Sequence, residues 1–350
     1  MIRLLADSTL SRHLAVQSAM ERLQKRLSEA QSELATGRLE DVTRSLGHRT
    51  RDVISIRQVL TQIEATAASN NIVSARLDAT QAALGTIGAS ADGFLQALVA
   101  AIGNPSARGT LEISASDGID RLVDVLAARM GDVHLFSGIN SDVAPMAQYY
   151  TDPPPASRAA FEAAFTAHFG FQLSDPAAAG ITASSMQAFL DTGFSNLFDD
   201  TNWAASWSTA SDDPMRARVS RDAEIEASVT ANDESLRKLT GAYVIVSEAA
   251  GSALGEAAFQ VVVADAAKRA GEAVAGLTRT RGVAGTMQIR VTNAIESGDV
   301  QADILTRSMS ELEAVDTVEL SARLVGLMNQ IEATYAITAR LQQLSLLNEI

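Results

Sequence analysis

The chain has 350 residues, 28 basic against 42 acidic side chains, a formal charge of −14 and no cysteine. That length allows about two domains. The acidic balance argues against a broad nucleic-acid surface, and the absent thiols exclude a disulfide framework, a thiolate nucleophile and a cysteine-bound metal. Apolar residues make up 47% of the chain and aromatics 5%, with 7 prolines, which suits packed helices better than an aromatic-rich sheet core.

The opening, Met1-Ile2-Arg3-Leu4-Leu5-Ala6-Asp7, has no apolar run of signal-peptide length. Leu10, Leu14, Gln17, Met20, Leu23, Leu27, Ala30 and Leu34 then advance in steps of three and four, a heptad seam that Gly37 should end. A second helical pattern starts near Asp52 with Val53, Ile56, Leu60 and Ile63, runs on through Leu84, Phe94 and Leu98, and breaks at Asn104-Pro105. Its charge-free apolar stretch, Phe94 to Ile102, is far shorter than the roughly 20 residues that span a bilayer. A third helix is expected behind Ser116 as N-cap, with Ile119, Leu122, Val123, Leu126 and Met130 buried.

Between Val133 and Asp213 prolines, glycines and aromatics cluster, so residues 141–232 read as a small mixed domain. Trp203 and Trp207, one helical turn apart, are expected in its core, and residues 217–220 and 225–230 form a candidate hairpin. Helix resumes near Asp233, is interrupted at Gly251 and Gly255, and is expected to stop at Gly282 and Gly285. From about Val300 the pattern is helical to the end. Leu320, Leu324, Leu327, Ile331 and Tyr335 mark a second seam that runs into Leu341, Leu344, Leu346 and Leu347.

The fold class expected is mainly α, with long N- and C-terminal helices paired as a coiled coil, a helical bundle next to it and a small mixed middle domain. The domains would be residues 1–50 with 305–350, residues 51–140 with 233–304, and residues 141–232. Burying one large apolar side chain contributes roughly 1.5–3 kcal/mol, while ordering each backbone residue costs about 1–2 kcal/mol. Terminal helices of this kind therefore either pack on the chain's own core or gain order from neighbours.

Chemical motifs are sparse. His13, His48, His134 and His168 are scattered, and Gly251–Gly255 and Gly282–Gly285 lack a Walker lysine. Asp199-Asp200 and Asp212-Asp213 read as caps or solvated loop charges. No catalytic, cofactor or metal residue is assigned, and no enzyme is expected.

Three passages carry a resemblance to the bacterial flagellin family. Leu27-Ser28-Glu29-Ala30-Gln31-Ser32-Glu33-Leu34-Ala35-Thr36-Gly37-Arg38 is similar to the family's first helix and its exit. Val315-Asp316-Thr317-Val318-Glu319-Leu320 and Ile331 through Asn348 resemble its C-terminal assembly segment. Asp132-Val133-His134-Leu135-Phe136-Ser137-Gly138-Ile139-Asn140 resembles the passage that leads into the middle domain in the hook-associated branch. Asp41-Val42-Thr43-Arg44-Ser45-Leu46-Gly47 departs from the family's Asp-Asp-Pro turn, and Asn348-Glu349-Ile350 lacks its terminal aromatic.

The resemblance implies a structural subunit at the junction of hook and filament, exported without a cleaved signal and extracellular in the flagellum. Filament flagellin and a cytoplasmic helical scaffold are the alternatives. Implied partners are further copies in a ring, a neighbouring hook-associated protein, flagellin and an export chaperone, with no nucleic acid and no membrane. The assembly interface would be Leu10, Leu14, Met20, Leu23, Leu27 and Leu34 with Leu320, Leu324, Leu327, Ile331, Tyr335, Leu341, Leu344, Leu346 and Leu347. The two terminal seams would form an inner layer, Val53–Leu98 with Phe259–Leu277 the next, and 141–232 would face outward.

Overall fold

A computed structural model describes the backbone of residues 2–347 and the side chains of 14–340 apart from Thr43 and His48. The protein is mainly α-helical. Its helices are α1 (Ile2–Thr36), α2 (Val42–Leu46), α3 (Thr50–Ala101), α4 (Arg108–Leu126), α5 (Ala156–Phe169), α6 (Ala183–Phe189), α7 (Asp200–Ser206), α8 (Glu234–Ala250), α9 (Glu256–Glu313) and α10 (Thr317–Leu347). Two antiparallel hairpins are the strand content of the described residues: β1 (Arg129–Met130) with β2 (Val133–His134), and β3 (Arg216–Arg218) with β4 (Glu224–Glu226). The chain divides into two compact units, residues 1–65 with 298–350, and residues 66–297.

The 66–297 unit is built on one continuous core. Leu84, Ile87, Phe94 and Leu98 of α3 join Leu111, Ile119 and Leu122 of α4, Leu239, Tyr243 and Val246 of α8, and Phe259, Val262 and Val263 of α9. The tightest approach is between α4 and α8, where a Cβ on Gly118 would lie 2.2 Å from the Tyr243 ring. Tyr243 stacks obliquely on Phe94 at 4.6 Å, and its hydroxyl lies 3.2 Å from Ser90 Oγ. Arg108 clasps the turn between α8 and α9, donating to the carbonyls of Ala249, Ala250, Ser252 and Leu254 with its guanidinium over the Phe259 ring. By length and composition α3 passes as a membrane span, yet Leu84, Ile87, Phe94 and Leu98 of it are part of this core, while Ile54, Val59, Ile72 and Val99 are exposed.

Residues 141–232, expected as a domain of their own, share that core. Phe161, Phe165, Phe189, Phe194, Trp203 and Trp207 are buried in it, the two indoles stacked at 5.8 Å. Arg269 of α9 reaches this segment, donating to Leu190 O and Ser195 Oγ.

The Phe136-Ser137-Gly138 passage shows why its residue types matter. Phe136 is fully buried and its carbonyl accepts from Ala231 N. Gly138 has φ +61° and sits where a Cβ would come within 2.6 Å of Asp213 O, so the position admits glycine alone.

Several boundaries differ from expectation. Ser116 lies inside α4, which starts at Arg108 because Asn104 caps the turn at Pro105 and starts the chain coiling earlier. Helix α9 runs unbroken for 58 residues through Gly282 and Gly285. A helical glycine costs only about 1 kcal/mol, and the burial of Ala284 and Val291 beside them offsets it. The last helical stretch is broken instead at residues 314–316, where Asp316 Oδ1 accepts from Val318 N and Glu319 N and starts a new helix.

Candidate assembly interface

In the terminal unit α1 and α10 pack on each other. They run antiparallel, since Arg38 bridges to Ala314 near one end and Gln24 Nε2 donates to Tyr335 Oη at 3.3 Å further along. Gly37 ends α1 as expected, and the turn beyond it is tied to the α9–α10 break. Leu39 N donates to Glu313 O at 2.9 Å, and Val315 N to Gly37 O at 3.2 Å. Glu313 is a buried carboxylate held by Arg57 Nη2 at 2.7 Å. Asp41 takes the place of the family's usual turn, its Oδ1 accepting from Arg44 N to cap α2.

The seam brings together Leu23, Leu27 and Ala30 with Val315, Leu320, Leu324 and Leu327. Met20 and Ile331 are half-buried. Leu34 stays exposed because α10 starts only at Thr317 and offers no leucine before Leu320 to cover it. Leu14 and Tyr335 are also exposed. The side chains of Leu10, Leu341, Leu344, Leu346 and Leu347 and all of Asn348–Ile350 lie outside the described residues.

A second stripe on α10 is absent from the expected interface. Val318, Val325 and Met328 are exposed, Val318 by 79% and Val325 by 58%. At about 100° per residue these positions lie on a face turned roughly 120° from the α1 seam. The step of seven from Val318 to Val325 was the available signal, hidden by the stronger leucine pattern beside it. Among the described apolar side chains of the terminal unit, only Ala30, Val53, Leu320 and Leu327 are buried. An apolar surface of this extent on so small a core is what interaction sites present.

Among the described residues nothing resembling a reaction centre accompanies it. No group of three or more potential metal ligands occurs among the described residues. His134 is buried with Nδ1 against Ala127 O, and His168 packs on Phe169 and Phe189. Asp199 caps α7, Asp200 pairs with Arg237, and Asp212 accepts from Asn232.

These features define a structural subunit whose chain ends are shaped for helix packing. Residues 8–141 match the bacterial flagellin N-terminal helical region and residues 267–349 the bacterial flagellin C-terminal helical region. The chain belongs to the bacterial flagellin family, whose members are structural proteins of the flagellum. Among solved structures it is similar to a protein from Vibrio parahaemolyticus described as flagellar hook-associated, with a TM-score of 0.53 and 8% identity over 77% of this chain and 99% of that one. No curated protein matches it by sequence.

Proposed function

We propose that this protein is the junction subunit between hook and filament. It is exported to the flagellum and assembled as a ring of copies between a neighbouring hook-associated protein and flagellin. The observation that carries assembly is the terminal unit itself, with four buried apolar side chains among those described and exposed stripes on α10. Burying those stripes against neighbours supplies the stabilisation that a single copy lacks. The choice of junction over filament is supported by the Phe136-Ser137-Gly138 passage, and the fold likeness to the Vibrio parahaemolyticus protein agrees with it. Both seams, Leu10–Leu34 and Leu320–Leu347, would line the inner layer.

The second reading is filament flagellin, favoured by the two family regions, both of which describe flagellin. Immunogold labelling of intact flagella with an antibody to residues 141–232 separates the two. A single band where hook meets filament supports the junction, and label along the filament supports flagellin. Absence of label from every flagellum overturns both.

A further inference from the structure

Two exposed parts of the terminal unit carry opposite charge beside apolar side chains. Around the start of α3, Arg49, in the turn just before the helix, and Arg51 are exposed with Ile54, which is 51% exposed, and the exposed Asp52 is the acidic side chain among them. Neither arginine meets a carboxylate among the described residues; Arg57, further along, is the one engaged, with Glu313. Near the end of α9, Asp299 and Asp303 are exposed one turn apart. Val300 and Ile304, exposed by 61% and 57%, each follow one of them by a single residue. At about 100° per residue these four side chains occupy about 140° of the helix surface.

We propose that these two patches join consecutive copies, the patch around Arg49, Arg51 and Ile54 on one subunit against Asp299, Val300, Asp303 and Ile304 of α9 on the next. The inference rests on the assembly reading above and adds to it a lateral contact outside the α1–α10 seam. Charge complementarity steers the encounter and fixes its register, while Ile54, Val300 and Ile304 supply apolar burial. Two different patches meet, so the contact is heterologous and propagates until the rotation closes a ring or continues as a filament.

A second copy fits better than a basic partner. Residues 66–297 carry 26 acidic against 15 basic side chains, and the terminal unit 16 against 13. A basic partner would be drawn first to the 66–297 unit, whereas copies of the chain repel there and have the nearly balanced terminal unit left for contact.

The absence of native cysteine allows a direct test. Flagella assembled from a chain carrying both Arg51→Cys and Asp303→Cys are treated with a short bismaleimide. The expected product is a ladder of multimers beyond the dimer, with neither single variant cross-linking. A double variant that incorporates yet gives no ladder overturns the contact, as does a single variant that yields dimers. In parallel, Arg49→Glu with Arg51→Glu, or Asp299→Arg with Asp303→Arg, should lower incorporation about tenfold or more, because like charges then face each other. Combining all four should restore most of it, and a quadruple variant no better than either pair counts against the proposal. If wild-type protein is missing from flagella, the assembly reading itself fails. If it is present and both reversals incorporate equally well, only this contact fails.

Discussion

Glu248 is one residue whose surroundings set a pH dependence. It is largely buried beside Tyr149, and burial raises its pKa above the ordinary carboxylate value, while Arg158, 3.7 Å away, pulls it back down. Asp120 is raised too, by burial and by Asp124 and Asp117. A carboxyl with a raised folded-state pKa takes up its proton more readily when folded, so these groups add stability as pH falls from neutral towards the ordinary carboxylate range. Glu248→Gln should therefore gain less from acidification than wild type, measured by urea unfolding at pH 7 and pH 5.5; identical pH profiles would count against this account. Tyr150, pushed up to about 12 mainly by burial, stays neutral throughout. Gly118→Ala tests packing instead. Its methyl has no room beside Tyr243, and the expected loss is about 1–3 kcal/mol in the same unfolding assay, the usual cost of overpacking. The Gly118 requirement was invisible in the sequence, because a helical glycine reads as a weakness until the opposing ring is known. Gly138 was legible, since its neighbours carried the family resemblance.

At the scale of elements, α10 presents two faces with different jobs, and substitutions should separate them. Leu327→Asp places a charge in the α1–α10 seam, where Leu327 is buried, and should loosen the pair and abolish incorporation into flagella. Val325→Asp lies on the exposed stripe, so it should leave the circular dichroism of the free subunit unchanged while still blocking incorporation. Wild-type incorporation of Val325→Asp would remove the stripe from the interface. Of the expected seam, Leu23, Leu27 and Ala30 pack with Leu320, Leu324 and Leu327, since leucines at heptad spacing line up on one side of a helix, whereas Leu14, Leu34 and Tyr335 are exposed. The sequence showed the breaks poorly. Gly282 and Gly285 looked like helix ends, but burial of Ala284 and Val291 carries α9 through them. The true break at residues 314–316 lacks glycine and proline altogether and depends on Asp316 as a cap.

The whole molecule is uneven in how well its parts are filled. The 66–297 unit buries a continuous aliphatic and aromatic core, whereas the terminal unit rests on a short seam. Hydrogen exchange of the free subunit should show amides of α1 and α10 exchanging at least tenfold faster than those at the centres of α4 and α8; uniform protection would refute this. The division into units was only partly legible. Prolines and aromatics suggested a separate middle domain, but composition cannot say whether aromatic side chains pack among themselves or onto α9, as Arg269 and Phe194 do here. The bridge between Arg38 and Ala314 has a further consequence, because it joins residues from opposite ends of the chain. Closing so long a loop costs entropy before any contact repays it, and α1 has no partner until the final helix exists. A chain cut short before Thr317 would keep every core residue of the 66–297 unit and lack the surface that α1 pairs with. Such a chain would leave Leu23, Leu27 and Ala30 without the α10 side chains they pack against.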